Sequence, residues 1–319
     1  MLHAFRPGAS GLDRLDATAP LADAMWIDLL HPTEDELRAV AAFGVAVPSL
    51  SEMEEIEISN RLYHEEGADY LTVVLPGMSD SRAATAGPVT FILQSDRLMT
   101  VRHHAPRPFE TYPLRAAKAA AGCASPARIF LGLTEDIVGR LADLLEEVGR
   151  SLDQVSRDVF GGKAGGDAGL LQLALEQTGR TGDLLGRVRL GLLTMERALG
   201  YFGQTLSARP EGTPLQPVVS GQIRDIQALE VHADFLSSRL SLTVDATLGM
   251  VNLAQNVTVR IVSVVAVLFL PPTLIASVYG MNFAHMPELA SPWGYPAALA
   301  LMLASAVGTY LFFKWRKWL

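Results

Sequence analysis

Residues 261–283, IVSVVAVLFLPPTLIASVYGMNF, decide the fold. The stretch 261–279 carries no charged side chain and closes on a short polar turn, Tyr279-Gly280-Met281-Asn282-Phe283. Residues 280–293 follow as a loop, and residues 296–313 form a second uncharged run that ends in Lys314-Trp315-Arg316-Lys317. A helix rises about 1.5 Å per residue and a bilayer core is about 30 Å thick, so each run is just long enough to span. The pattern predicts a hairpin of two transmembrane helices.

The flanks orient that hairpin. Arg260 precedes the first run and Lys314, Arg316 and Lys317 follow the second, while the connecting loop holds no lysine or arginine. Positive residues favour the cytoplasmic side, which places both termini there and the loop outside. Trp293, Tyr295, Trp315 and Trp318 fall where an interfacial aromatic belt would lie. Residues 1–15 contain no apolar core of signal-peptide length, consistent with a cytoplasmic N-terminus in an inner (plasma) membrane protein.

Composition narrows the partners. Of 319 residues 49% are hydrophobic, high for a soluble protein but explained by two spans on a polar body. A net charge of −8 argues against nucleic acid. Cys123 stands alone, which excludes a disulfide framework and a cysteine-rich zinc cluster.

The loop and its surroundings resemble the CorA family of divalent-cation transporters. The resemblance rests on Phe269-x-Pro271-x-Thr273, then Tyr279-Gly280-Met281-Asn282-Phe283, then Met286-Pro287-Glu288-Leu289 and Trp293-Gly294-Tyr295-Pro296. An upstream piece, Trp26-Ile27-Asp28-Leu29 with Pro32-Thr33 and Glu36, is similar to the family's soluble domain. Both ends match in letters and the middle matches in layout.

Residues 1–125 read as a mixed α/β domain. A strand is expected over 24–29, and Thr33 with Glu36 three residues on forms a capping box opening a helix through Phe43. Residues 58–63 and 70–75 flank a His64-Glu65-Glu66-Gly67 turn, and residues 89–94 and 98–102 flank Ser95-Asp96-Arg97, two hairpin patterns. Glu52, Glu54, Glu55 and Glu57 read as a solvated helix end, with a weak cytosolic cation site as the sharper alternative. His103 and His104 are adjacent on extended backbone and point to opposite faces, which disfavours one shared ion. No phosphate-cradling glycine loop, His-Glu-x-x-His or nucleophile elbow occurs, so an enzyme is not expected.

From Thr134 the pattern turns helical. Leu141, Leu144, Val148, Leu152, Val155 and Val159 form one apolar stripe, and the glycine-rich residues 161–166 break it. A second helix is expected over 168–202 and a third from Val218 without a proline until Pro271. Its stripe steps through Ile226, Leu229, Ala233, Leu236 and Leu240 and on to Val244, Leu248 and Val251. Continuous from 218 to 279, it would be roughly 90 Å long, a stalk whose seam packs against sister helices. The architecture is thus an α+β cytosolic domain (residues 1–125), a stalk region of three long helices (126–257) and a C-terminal transmembrane hairpin (258–319).

Two spans per chain cannot enclose a path, so transport requires several subunits about an axis. The resemblance implies a homopentamer with the first span lining the pore. Carried over by position, Asn256, Val259, Leu270 and Thr273 line it, and Gly280, Met281 and Asn282 form the selectivity filter at its mouth. No carboxylate lies between Arg260 and Glu288, so a dehydrated divalent ion has no negative ligand in the span. Mg²⁺ gives up its waters reluctantly, and a ring of Asn282 carbonyls would instead accept hydrogen bonds from a hydrated ion. In this scheme Gly280 permits the turn, Met281 packs, Glu288 gathers cations outside, Leu270 is a dry constriction and Thr273 a polar ledge.

Two positions depart from the family pattern. Pro272 replaces an apolar residue, making Pro271-Pro272 a sharper bend. The family's regulatory aspartate near the start of the stalk falls on Gly221, with Asp225 the nearest acid. The expected substrate is Mg²⁺ or Co²⁺, Ni²⁺ or Zn²⁺, with the cation also a regulator and no other cofactor. The alternatives are a zinc carrier of the family's zinc branch with proton coupling, and, from another class, a membrane-tethered cytosolic sensor or scaffold.

Overall fold

The computed structural model describes residues 1–319 apart from 9–10, 17–18, 80, 162–167, 207–211, 282–285, 288–290 and 317–319. Two compact units result. One comprises Met1–Ser156 and Glu176–Thr243, the other Arg157–Leu175 and Val244–Leu319.

The first unit is built on a seven-stranded sheet in the order β2-β1-β3-β7-β6-β5-β4. Its strands are β1 (Leu2–Gly8), β2 (Gly11–Arg14), β3 (Trp26–Leu30), β4 (Leu62–Glu65), β5 (Ala68–Met78), β6 (Ala84–Leu93) and β7 (Leu98–Arg102). Every pairing is antiparallel except β3 with β7, where Asp28 stands opposite Thr100. Side chains alternate along a strand, and here both faces are covered. Trp26, Leu71, Val73, Val89 and Phe91 enter a core shared with the long helices. Ile27, Leu29, Tyr70, Ile92 and Met99 enter a second core on the other face. The short helices α1 (Glu34–Ala41) and α2 (Leu50–Glu54) supply Val40 and Met53 to that second core.

The expected capping box is present. Thr33 accepts from the backbone of Glu36, whose carboxylate accepts from the Thr33 N–H at 2.9 Å. Ser49 and Glu52 repeat the device at α2. The β4–β5 hairpin turns on Glu66 and Gly67, with φ of 49° and 80°, as a two-residue primed turn requires. Residues 58–60, expected in a strand, form a 3-10 turn instead.

Three helices are longer than their sequence pattern. α4 runs Pro126–Phe160, starting ahead of Thr134. Ala127, Ile129, Phe130, Leu131 and Leu133 are all buried and the half-buried Arg128 is the one charged residue among them, too little of a polar face to reveal a period. α5 runs Ala168–Leu206 and α6 runs Gly212–Tyr279. The start of α6 lies before Val218 because Pro214 sits in the first turn, where its missing N–H has no partner to lose. α3 (Pro108–Arg115) and α7 (Gly294–Trp315) complete the set.

The α6 seam also departs from its expected course. Ile226, Ala233 and Leu236 are buried as the stripe requires, but Leu248 is exposed, and Thr243 and Thr247 are buried in place of Val244 and Leu248. Steps of three and four from Leu240 land on those threonines, so geometry holds the seam and hydrophobicity does not mark it. Among the described residues two helices are long and apolar enough to cross a membrane, α6 and α7, and only 6% and 11% of their apolar windows are buried. Cover for those surfaces must come from outside the chain.

Candidate functional site

The second unit holds the C-terminal part of α6, and the candidate conduction surface is read along it. An α-helix turns about 100° per residue, which places Asn256, Val259, Leu270 and Thr273 within one arc of about 100°. All four are exposed, Val259 by 63% and Leu270 by 62%. Ser263, Ala266 and Ser277 fall in the same arc and are exposed too. The sequence reading missed these three, although the 3-4-3-4 spacing from Asn256 to Ser277 contained them. Leu274 shares the arc and is exposed as well, so the face mixes the amide, hydroxyl and small groups of Asn256, Ser263, Ala266, Thr273 and Ser277 with the apolar Val259, Leu270 and Leu274.

The rest of the unit covers another face. Val264, Leu268, Pro271, Pro272, Ile275 and Tyr279 are buried or half-buried. On the same wheel their arc is centred roughly 160° from the seam. The seam is therefore turned away from what the chain itself covers.

Backbone chemistry near the candidate constriction is specific. The helix continues through Pro271 and Pro272 to Tyr279, although two prolines leave the carbonyls of Val267 and Leu268 without their usual N–H donors. Thr273 turns its hydroxyl inward, donating to the Phe269 carbonyl at 2.7 Å and to that of Leu270 at 2.9 Å. Ser263 does the same toward Val259 at 2.8 Å. With their protons committed, both hydroxyl oxygens present lone pairs alone.

The loop motif is described only in part. The Gly280 N–H donates to Ala276 at 2.9 Å, and a Cβ on residue 280 would lie 3.2 Å from that same oxygen. Glycine is thus favoured there by lack of room and not by a left-handed φ. Met281 is 46% exposed. Asn282 and Glu288 lie outside the described residues.

The remaining candidates sit in the first unit. Asp225 is exposed on α6 between the buried Gln222 and Ile226. Among the described residues no group of three or more His, Cys, Asp or Glu is placed to hold a metal ion. Within the Glu52 cluster, Glu52 accepts from Ser49, which holds its carboxyl below the usual range, and Glu55 accepts from Asn60. His103 meets the edge of the His31 ring at 5.5 Å, while His104 is buried with its Nε2 2.8 Å from the Leu75 carbonyl. The two histidines do not converge.

Comparison with known proteins bears on the whole length. The sequence profile of a family described as CorA-like Mg²⁺ transporter protein matches residues 22–315. The magnesium transport protein CorA of Escherichia coli (strain K12) is 34% identical over 322 residues, covering 100% of both chains. The solved structure of the CorA magnesium transporter from Methanocaldococcus jannaschii superposes with a TM-score of 0.68 at 17% identity, over 100% of this chain and 99% of that one. The cytoplasmic domain of ZntB from Vibrio parahaemolyticus gives 0.56 at 13% identity, over 77% of this chain and 95% of its own. At those identities the two structures speak to the fold alone: the full-length neighbour matches the soluble α/β domain, the long helix and the C-terminal apolar helix, and the ZntB neighbour, a cytoplasmic domain, bears on the soluble part.

Proposed function

The chain belongs to the family of CorA-like Mg²⁺ transporter proteins, and on that premise we propose that it passes divalent cations across a membrane through the centre of a homo-oligomer. Mg²⁺ is the leading substrate, with Co²⁺, Ni²⁺ and Zn²⁺ as further cargo, and five copies are inferred by resemblance. The observation that carries this reading is the exposed seam of α6 from Asn256 to Ser277, facing away from the surface that its own chain covers. A solitary hairpin in lipid has no use for Asn256, Ser263, Thr273 and Ser277 aligned on one outward face. Copies arranged about an axis would turn those seams toward one another and away from acyl chains.

In this arrangement the ion keeps its water. The seam offers lone pairs from Thr273 and Ser263 and no carboxylate, a set suited to the hydrogens of a hydration shell and unsuited to a bare ion. Asn282 at the mouth contributes a side-chain carbonyl per copy, and Gly280 and Met281 hold that turn. Glu288 gathers cations outside. Leu270 narrows the path with an apolar ring that conducts only when wetted. Both termini lie in the cytoplasm, residues 1–125 and 126–257 form the cytosolic domain and stalk, and residues 258–319 the hairpin. Asp225 is retained as a weak regulatory contact. The family's members are transporters and not enzymes, and the chain is read likewise.

Ion uptake into liposomes tests the proposal, with purified protein and Mg²⁺, Co²⁺, Ni²⁺ and Zn²⁺ offered in turn. Mg²⁺ flux should collapse in Asn282→Ala while the oligomer survives. Near-normal flux in that variant would sink the hydrated-ion filter. An inert wild type would favour the tethered sensor instead, and Zn²⁺ flux that requires a proton gradient would favour the zinc carrier.

A further inference from the structure

A cavity of about 830 Å³ in the first unit is lined by five arginines drawn from separate parts of the chain. Arg82 comes from the β5–β6 connection, Arg107 from the head of α3, Arg140 from α4, and Arg180 and Arg187 from α5. Three carboxylates also line it, those of Glu110, Glu147 and Asp183. Asp183 is engaged by Arg187 at 3.2 Å, and the same guanidinium donates to the Ala84 carbonyl at 2.6 Å. Arg187 is thereby held in place between α5 and β6. Arg180 reaches Glu176 only at 3.8 Å.

The other three guanidiniums are uncommitted. Among the described residues, Arg82, Arg107 and Arg140 make no side-chain hydrogen bond or ion pair, even with Glu110 and Glu147 in the same cavity. In a chain of net charge −8, an arrangement of unpaired guanidiniums in one concavity needs a physical account. Guanidinium forks match phosphate oxygens bidentately and stack on flat rings. The cavity also has an apolar floor, with Met78 from β5 and Leu144 and Leu184 from α4 and α5. Its volume lies within the range of sites for small organic ligands, about 300–1,000 Å³, and far exceeds what an inorganic ion needs.

We propose that this cavity binds a nucleoside polyphosphate. The phosphates lie against Arg82, Arg107 and Arg140, and the base rests on the Met78–Leu144–Leu184 floor. An inorganic phosphate would engage the arginines and leave the floor bare, so it binds more weakly. The site is independent of the α6 seam, and its existence does not require that the chain conduct cations.

Isothermal titration calorimetry on the full chain in detergent micelles tests this, with chelator present so that no divalent cation bridges the partners. ATP, AMP and inorganic phosphate are titrated in turn. Saturable ATP binding is expected, tighter than AMP and tighter still than phosphate. Arg107→Gln with Arg140→Gln should weaken ATP by about tenfold or more, since each guanidinium–phosphate bond lost is a charged one. Arg224→Gln, an exposed arginine of α6 outside the cavity, should leave it unchanged. Both substituted arginines are at the surface of the cavity, and an unaltered melting curve checks the fold. Should the double variant melt early, Arg140→Lys keeps the charge, loses the fork, and should still weaken ATP. Absence of saturable ATP binding would overturn the proposal, as would equal affinity for phosphate or an equal loss in Arg224→Gln.

Discussion

Thr273 donates its hydroxyl proton to the carbonyl of Phe269, 2.7 Å away and one helical turn back. Pro271 and Pro272 leave the carbonyls of Val267 and Leu268 without donors, and the Thr273 hydroxyl adds a bond to the next two carbonyls, those of Phe269 and Leu270, just past the break. The same bond fixes the rotor and leaves the oxygen as an acceptor on the seam. One side chain thus serves the helix and the proposed path together.

That dual role makes Thr273 testable by near-isosteric change. Thr273→Val keeps the branch and removes the oxygen, and Mg²⁺ uptake into liposomes should fall by roughly fivefold, about the worth of one hydrogen bond. Thr273→Ser retains the oxygen and should stay near the wild type. Equal flux in the valine variant would remove Thr273 from the path.

A second prediction concerns the sheet. Asp28 and Arg102 pair across the parallel β3–β7 junction at 2.8 Å, with side chains only 2% and 4% exposed. Asp28 also accepts from Thr100, which accepts from the Trp26 indole. Replacing one partner strands a buried charge, so Asp28→Leu or Arg102→Met alone should destabilise by about 3–5 kcal/mol. The double variant should lose less than the sum of the two, because no charge is then left unpaired. Thermal unfolding of the four proteins reads the coupling, and simple additivity would show that the pair does not act as a unit.

Much of this was legible in the chain. The two uncharged runs gave α6 and α7, Thr33 and Glu36 gave the cap of α1, and Glu66-Gly67 lay inside the expected hairpin turn. The first two turns of α4 were hidden because burial on nearly all sides erases amphipathic period. Thr243 and Thr247 were hidden because a buried threonine reads as polar in sequence while its position on the wheel decides its burial. The cavity arginines were hidden for a different reason. Arg82, Arg107, Arg140, Arg180 and Arg187 are scattered through the sequence, and only the packing of α3, α4 and α5 against the sheet gathers them. Of the site itself, Asn256, Val259, Leu270 and Thr273 came from resemblance, whereas Ser263, Ala266 and Ser277 lay on the same 3-4-3-4 spacing and were legible only by extending it.

His104 yields a pH prediction. Burial is the main cause lowering its pKa from the ordinary 6.5, and neighbouring Arg102 adds to it. Nε2 donates to the Leu75 carbonyl, while the buried Nδ1 has no partner, so the neutral ring fits and a second proton would find no acceptor. A histidine with a lowered folded pKa contributes stability that is present above the unfolded pKa and lost as pH falls toward the folded one. Stability should therefore decline as pH drops below about 6.5. His3 and His103, also lowered mainly by burial, push the same way. His104→Gln should be less stable at neutral pH yet show a shallower decline as pH falls below the ordinary histidine value of about 6.5. An unchanged slope in thermal melts would assign the acid sensitivity to the other groups.

The last prediction separates a gate from a filter at Leu270. This residue is 62% exposed in the single chain and shares its arc with Thr273 and Val259, so in an oligomer its copies would face one another. A ring of leucines excludes water until it widens, and the barrier it sets depends on apolar surface more than on any bond to the ion. Leu270→Ala removes that surface and should raise basal flux, with reduced discrimination between Mg²⁺ and larger hydrated species. Leu270→Asn keeps most of the bulk while wetting the ring, and should raise flux as well. A merely steric plug would open with alanine and stay shut with asparagine. Uptake by the two variants at matched protein levels therefore distinguishes dewetting from simple occlusion, and unchanged flux in both would place the constriction elsewhere on α6.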